Sequence, residues 1–214
     1  PSHGMPAPRS NSRIQPATLG ALLERDARAG GWRVAHIYQG DPEYPELQSP
    51  LARPGVEVKT GDVIVRINGR PTLAADHPRQ LLRNQAGKQV LLEVKSPKSD
   101  KPRSVIARPI TADQEANLRY DEWEFTRRQL VETTGKGQIG YVHLRAMGSG
   151  DIADWARDFY PVFMRQGLII DVRHNRGGNI DSWILGKLLR QAWFYWQPRV
   201  GLPSWNMQYA FRGH

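Results

Sequence analysis

Apolar and polar side chains alternate along several short segments in the first half of the chain. The runs Trp32 to Tyr38 and Val63 to Ile67 follow this alternation and predict β-strands, and Gly30-Gly31 and Asn68-Gly69 suit tight hairpin turns. The other elements predicted here are a glycine turn entering a strand over 18–26, a helical turn over 49–55, a helix over 78–86 ended by Gly87, and strands at 90–94 and 104–107 joined by a charged loop. The pattern indicates a small barrel-like β domain with two helices.

The second half changes to helical spacing and to strands that are apolar throughout. Helices are predicted over Leu118–Glu132, Asp151–Arg165 and Ile180–Leu189, and strands over Ile139–Leu144 and Gly167–Val172. A strand, a helix and a strand in this order predict a βαβ crossover, which begins an α/β sheet. We expect a lead-in at residues 1–15, the β domain at 16–110 and the start of the α/β domain at 111–214.

The composition of the chain excludes several kinds of functional site. The chain has no cysteine, which excludes disulfides, thiolate nucleophiles and Cys-ligated zinc. No His-x-x-x-His pair occurs and no apolar run is long enough to span a membrane, so we expect no metal, no cofactor and no membrane insertion. The net charge of +9 allows nucleic acid or acidic peptides as partners. The bases are scattered along the chain, however, so we expect no nucleic acid. The compartment stays open.

Two stretches carry a family resemblance. The succession of the Ser49–Gly55 turn, the Gly61-Asp62 corner and the Asn68-Gly69 hairpin is similar to the bacterial PDZ pattern. The stretch Gly167–Gly178 resembles the motif of the tricorn and carboxy-terminal processing serine proteases. A PDZ module that precedes this strand is the tricorn order. The resemblance implies a PDZ-like domain followed by part of a protease core, in a serine peptidase that cleaves peptides or unfolded proteins. We expect the full-length protein to form a homo-oligomer.

A PDZ module binds an extended peptide as an added strand, and the amides of a glycine-bearing loop accept its terminal carboxylate. The predicted contact residues are Thr18, Leu19, Gly20, Ala21, Leu22 and Leu23, with Leu81 and Leu82 on the facing helix. A simpler alternative is that Gly20 only makes a turn and that the chain's own segments fill the groove. The same module also suits a non-enzymatic alternative, in which the chain binds peptides and mediates assembly.

Gly177 and Gly178 lie between a strand and a helix, where free backbone amides can stabilise an oxyanion during acyl transfer. The resemblance implies this role for a glycine of the turn. The alternative is a tight turn required for packing alone. We expect Arg173 and Asn175 to brace the turn rather than to contact substrate.

The sequence contains no serine that is well placed to act as the nucleophile of a peptidase. Ser149 lacks the flanking pattern of a nucleophile elbow, and Ser182 lies inside a predicted helix, so neither suits attack on a peptide bond. The resemblance implies that the serine and a supporting glutamate follow His214, and that this chain alone is inactive. It also implies that His3 is the general base and Ser2 its supporter, although Pro-Ser-His-Gly-Met equally resembles a vector-derived segment.

Overall fold

A computed structural model describes residues 14–190, 194–205, 210–211 and 213. Ser2 and His3 lie outside the described residues. The chain divides into two compact units, residues 1–123 and 124–214, and the division falls inside a long helix. The first unit is β-rich and the second is α/β, which confirms the predicted fold class.

The first unit is built on an antiparallel sheet. Its strands are β1 (Ala17–Thr18), β2 (Ala21–Asp26), β3 (Gly31–Ile37), β4 (Val63–Ile67), β5 (Arg70–Pro71), β6 (Val90–Ser96), β7 (Ser99–Ala107) and β8 (Ile110–Thr111). The order in the main sheet is β2-β3-β4-β6-β7, and β5 pairs with β4. β1 and β8 form a separate antiparallel pair. Three 3-10 helices, Pro45–Leu47, Thr72–Ala74 and Pro78–Gln80, occupy the connections.

Alternation along the strands places the core of this unit. In β6 the side chains of Val90, Leu92 and Val94 are buried, while Leu91 between them is 40% exposed. The same core contains Leu19, Val34, Leu51, Ile64, Ile67, Leu82 and Val105. Period-two patterning therefore predicts the inward face of the sheet.

The segment 78–86, for which we expected a helix, has a different conformation. One 3-10 turn at Pro78–Gln80 is followed by further turns, and the amides of Leu81 and Leu82 donate to carbonyls three residues earlier. Asn84 has a left-handed backbone, with φ of +60°, and its amide and side chain both bond to the backbone of Gln15. This pairing with a distant residue interrupts the helix, which periodicity alone does not reveal.

The charged loop expected between the last two strands is also wrong. β6 and β7 continue to a tight hairpin, with Ser96 opposite Ser99. Pro102 is accommodated inside β7 because this strand lies at the edge of the sheet, where a missing amide costs no ladder bond.

Helix α1 (Ala112–Thr134) begins with a capping box. The Thr111 hydroxyl accepts the amide of Gln114 at 3.2 Å, and the Gln114 side chain accepts the amide of Thr111 at 2.9 Å. These reciprocal bonds satisfy amides that the first helical turn leaves without partners.

The second unit contains β9 (Ile139–His143), α2 (Asp151–Phe159), β10 (Gly167–Asp171), α3 (Asp181–Leu188) and the antiparallel pair β11 (Tyr195–Trp196) and β12 (Ser204–Trp205). β9 and β10 are parallel with α2 between them, so the βαβ crossover is confirmed. α2 ends before Pro161, which has no amide to extend it, and therefore stops short of the predicted Arg165. Trp155 and Phe159 of α2 stack within the core of this unit. β10 is less buried than expected, since Ile169 is 45% exposed.

Candidate functional site

The turn that follows β10 lies beside the segment that follows β9. The amide of Met147 donates to the carbonyl of Gly177 at 2.9 Å. The carbonyl of Met147 accepts the amides of Asn179 at 2.8 Å and Ile180 at 3.1 Å. These bonds between backbone groups fix the path of the turn.

Asn175 closes the turn through its side chain. Its Nδ2 donates to the carbonyl of Leu144 at 2.7 Å, and its Oδ1 accepts the amide of Gly177 at 2.6 Å. The amide of Gly177 is therefore already bonded within the turn. Asn175 braces this turn, as the sequence indicated.

The amide of Gly178 has a different environment. Gly178 forms a parallel bridge with Met147, in which the neighbours of Gly178 make the bonds. In such a bridge the central residue directs its own amide to the opposite side. Gly178 is exposed, and among the described residues no acceptor bonds its amide. The turn thus presents one outward-facing donor.

Gly178 also cannot be replaced freely. Its φ is +147°, and a Cβ built on it would lie 2.0 Å from the carbonyl carbon and oxygen of Met147. Gly177 has a φ of +80°, but a Cβ there would meet no atom within 4 Å. Gly177 is required by its backbone angle, and Gly178 by both its backbone angle and the lack of space for a side chain.

An ionic cluster around the buried carboxylate of Asp171 supports the start of the turn. Asp171, which is 7% exposed, accepts the amide and Nε of Arg173 at 3.0 and 2.9 Å on Oδ1, and the hydroxyl of Tyr141 at 2.8 Å on Oδ2. The carbonyl of Asp171 accepts Nδ1–H of His143 at 2.8 Å. We call Tyr141, His143, Asp171 and Arg173 the Asp171 cluster.

The pKa values in this cluster lie away from neutrality. The hydrogen bonds from Arg173 hold the pKa of Asp171 well below its usual range. Burial lowers the pKa of His143, and burial together with the bond to Asp171 raises the pKa of Tyr141. At neutral pH Asp171 is charged while His143 and Tyr141 are neutral. This arrangement suits a structural support better than a general acid or base, whose pKa should lie near the working pH.

Ser149 and Ser182, the two serines weighed above as nucleophiles, are not activated. Ser149 is exposed in the loop before α2, and Ser182 is exposed on α3. Among the described residues, neither has a histidine as a hydrogen-bond partner. Nor do the described His, Asp and Glu side chains include a group of three that could hold a metal ion. None of the described helices is both long and apolar enough to cross a membrane.

Of the eight residues predicted to contact a peptide, only half reach the surface. Thr18, Leu19, Gly20 and Leu82 are buried; Ala21, Leu23 and Leu81 are half-buried against the core; and Leu22 is 50% exposed. β2, which carries three of them, is an edge strand of the sheet. The edge is accessible, whereas the loop before it is not.

The two units match two known families. The model of the tricorn protease PDZ domain matches residues 17–112, and the model of peptidase family S41 matches residues 138–209. The chain therefore matches tricorn-like proteases in both of its units. A PDZ unit followed by part of an S41 peptidase unit is the order that the sequence predicted for this tricorn-like chain.

Curated relatives and a solved structure extend the match over nearly the whole chain. Tricorn protease homolog 1 of Streptomyces coelicolor is 36% identical over 99% of this chain, and a putative tricorn-like protease C-terminal subunit of Sulfurisphaera tokodaii is 34% identical over 94%. A crystal structure of the tricorn protease matches with a TM-score of 0.76 and 28% identity over 93% of this chain. The chain spans 20% and 23% of those two relatives and 19% of the crystallised chain.

The sequence named the glycine pair but missed the Asp171 cluster. A signal for it existed: Asp171 ends an apolar strand, and a carboxylate that is buried requires hydrogen-bond or charged partners. Arg173 two residues later was the nearest candidate. The partners on β9, Tyr141 and His143, could be found only by aligning the two strands in register.

Proposed function

We propose that this chain carries the PDZ unit and the oxyanion-binding turn of a serine peptidase that cleaves peptides or unfolded proteins. Within the turn, the donor to the oxyanion is the amide of Gly178. The observation that carries this assignment is the contrast between two adjacent amides. The side chain of Asn175 bonds to the amide of Gly177, while the amide of Gly178 faces outward.

The chemistry follows from the rigidity of the turn. Attack on a peptide carbonyl places negative charge on its oxygen, and a donor that is already oriented stabilises this charge without reorganising. Backbone bonds to Met147 fix the position of Gly178 before substrate arrives. One such donor contributes about two to three powers of ten to turnover. It acts mainly in the transition state, so substrate affinity depends on it much less.

The remaining catalytic groups are assigned by resemblance. We place the nucleophilic serine and a supporting glutamate beyond His214, and the lack of a histidine beside Ser149 or Ser182 supports this placement. His3 as general base and Ser2 as its supporter stay a prediction. The domain limits 1–15, 16–110 and 111–214 likewise stay a prediction, as does a homo-oligomeric full-length protein, which light scattering would test.

A second candidate function is a non-enzymatic module that binds peptides and mediates assembly. The accessible edge strand β2 supports it, since peptide addition to a sheet edge needs no catalytic group. The two candidate functions make different predictions for a protein extended past His214. Only the peptidase should contain a reactive serine in the added part.

The test compares this chain with a version extended past His214. Both are incubated with fluorogenic peptides and with a fluorophosphonate that labels activated serines. We expect turnover and labelling of the extended protein and neither with the 214-residue chain. An extended protein without either property would favour the non-enzymatic module. Turnover by the short chain that Ser149→Ala or Ser182→Ala abolishes would contradict the assignment.

A further inference from the structure

The main sheet of the first unit has two edges, β2 and β7, which differ in how they are protected. β7 contains Pro102 flanked by Lys101 and Arg103, and proline and cations at an edge discourage the addition of another strand. β2 has the sequence ALLERD and contains no proline. Among the described residues, no strand pairs with its outer side. β2 is therefore the edge at which an extended polypeptide can satisfy unpaired backbone groups.

The loop before β2 is closed. Thr18 and Leu19 are each 2% exposed, and Gly20 is buried. The carbonyl of Gly20 accepts the amide of Tyr38 at 3.2 Å and the hydroxyl of Ser49 at 2.8 Å. A loop that captures a terminal carboxylate must present exposed amides, and a buried loop does not meet this requirement.

The chain's own helix fills the space at this loop. Leu118 of α1 is 4% exposed, and a Cβ on Gly20 would lie 3.1 Å from its Cδ2. Two carboxylates of the same helix hold it in place: Glu115 bonds to Arg79 at 2.5 Å, and Glu122 accepts the amide of Gln39 at 2.9 Å. Binding of a terminal carboxylate would require this half of α1 to move.

Beyond the loop, the strand offers an apolar surface. Ala21 and Leu23 of β2 and Leu81 pack against the core but remain half-exposed. A segment added to β2 directs every second side chain to one face, and six paired residues extend about 20 Å. Alternate apolar side chains of the segment can therefore cover these three residues.

The charge at the hairpin end of β2 indicates what such a segment carries there. A cleft of about 470 Å³ is lined by Asp26, the last residue of β2, and by Arg28, Arg33 and Lys95. Arg33 pairs with Asp26, and Lys95 lies on β6, three strands inward from β2. Arg28, in the hairpin that follows β2, therefore supplies the positive charge at this end of the strand. An acidic side chain at the neighbouring end of the segment complements this charge.

We propose that β2 binds internal, extended segments of a substrate polypeptide, with an acidic residue alongside the hairpin end, and does not capture terminal carboxylates. This inference rests on the peptide-binding role proposed for the PDZ unit and names the class of segment that it takes. Substrate chains would then be held along their length, and no free carboxyl end would be needed.

The test titrates the isotope-labelled 214-residue chain with three synthetic peptides and follows its amide signals. The first has an alternating apolar core, one terminal aspartate, and acetyl and amide end groups. The second differs only in a free terminal carboxylate, and the third carries lysine for the aspartate. We expect equal affinity for the first two within about twofold, weaker binding of the third by fivefold or more, and shifts at Leu22–Asp26 and Leu81. Arg28→Glu should weaken binding of the first peptide by a similar factor. The control is Lys88→Glu: Lys88 lies just before β6, far from the hairpin end of β2, so this change should leave binding unaltered.

Other results would overturn the proposal. They are a tenfold preference for the free carboxylate with shifts at Leu19 and Gly20, shifts along β7 in place of β2, or equal binding of the aspartate and lysine peptides. If none of the three peptides binds, peptide engagement by the first unit fails altogether, and this inference fails with it. The peptidase assignment of the second unit is judged separately, by the extended protein and its serine probe.

Discussion

The side-chain oxygen of Asn175 accepts the amide of Gly177 at 2.6 Å. Of the two glycine amides, only the Gly178 amide therefore faces outward. The same side chain donates to Leu144, which links the turn after β10 to the end of β9. Asn175 thus selects the donor without contacting substrate itself.

We expect Asn175→Ala to lower kcat of the extended protein by about tenfold to a hundredfold, less than the loss of a whole oxyanion donor, because the turn keeps its backbone bonds to Met147. KM should change little, since the donor acts on charge that develops in the transition state. Steady-state kinetics with one fluorogenic peptide measures both constants.

The matched control is Arg176→Ala, which alters an exposed neighbour in the same turn. It should leave kcat within about twofold of the parent value. Equal losses for both variants, or a loss for Asn175→Ala that follows only the amount of folded protein, would mean that the side chain merely stabilises the fold.

The two glycines should differ sharply in what alanine does to stability. Gly177→Ala adds a methyl group in open space and costs only the strain of a left-handed backbone, about 1–2 kcal/mol. Gly178→Ala places the methyl 2.0 Å from the Met147 backbone and should cost more than about 3 kcal/mol in free energy of unfolding. Urea unfolding of both variants measures this difference. Equal costs would show that the turn does not lie against Met147.

Patterns of apolar residues predicted the features of the fold that depend on local periodicity. Val63–Ile67 and Gly31–Ile37 were located within one residue of their observed bounds, and the strand, helix and strand of the second unit follow from the spacing of Trp155 and Phe159 between two apolar runs. The glycine pair was identifiable because a turn between strand and helix needs residues that adopt positive φ.

Features that depend on distant contacts were not predictable. The segment 78–86 favours a helix by composition, but Asn84 pairs with Gln15 and adopts a left-handed backbone. The burial of Gly20 depends on Leu118, almost a hundred positions later in the chain. Similarly, the choice between Gly177 and Gly178 depends on one side-chain bond, and no spacing rule distinguishes two adjacent amides.

The Asp171 cluster gives a prediction for stability. Tyr141→Phe removes a hydrogen bond to a buried carboxylate and should lower the free energy of unfolding by about 1.5 kcal/mol, the low end for bonds to charged groups, because Arg173 still pairs with Asp171. Tyr38→Phe is the control, since the Tyr38 hydroxyl forms no hydrogen bond with any of the described residues. A Tyr141→Phe variant as stable as the parent would show that the bond does not form in solution.

Acid should destabilise the second unit in two stages. Burial, with the charges of Arg173 and His174, lowers the pKa of folded His143 below 6.5, so below that pH the unfolded chain binds more protons and the free energy of unfolding falls. The hydrogen bonds from Arg173 lower the pKa of Asp171, so below about pH 3.8 the unfolded chain again binds more protons and the free energy of unfolding falls further. Hydrogen exchange of β9 and β10 amides measured from pH 7 to 4 records the first stage.

His143→Asn keeps a donor for the Asp171 carbonyl but does not titrate, so it should flatten the loss of stability that begins below pH 6.5. His77→Asn, in the first unit, should leave the exchange of β9 and β10 unchanged. A His143→Asn variant with the full loss on acidification would assign the effect to other groups.

The most direct test of the proposed donor uses the amide signals of the two glycines in the extended protein. A peptide boronate or aldehyde forms a tetrahedral adduct with an activated serine and places an oxyanion where the donor acts. We predict that the Gly178 amide proton moves downfield by about 1 ppm or more on adduct formation, while that of Gly177, already bonded to Asn175, moves little. A large shift of Gly177 with none at Gly178, or an adduct that shifts neither, would contradict the account.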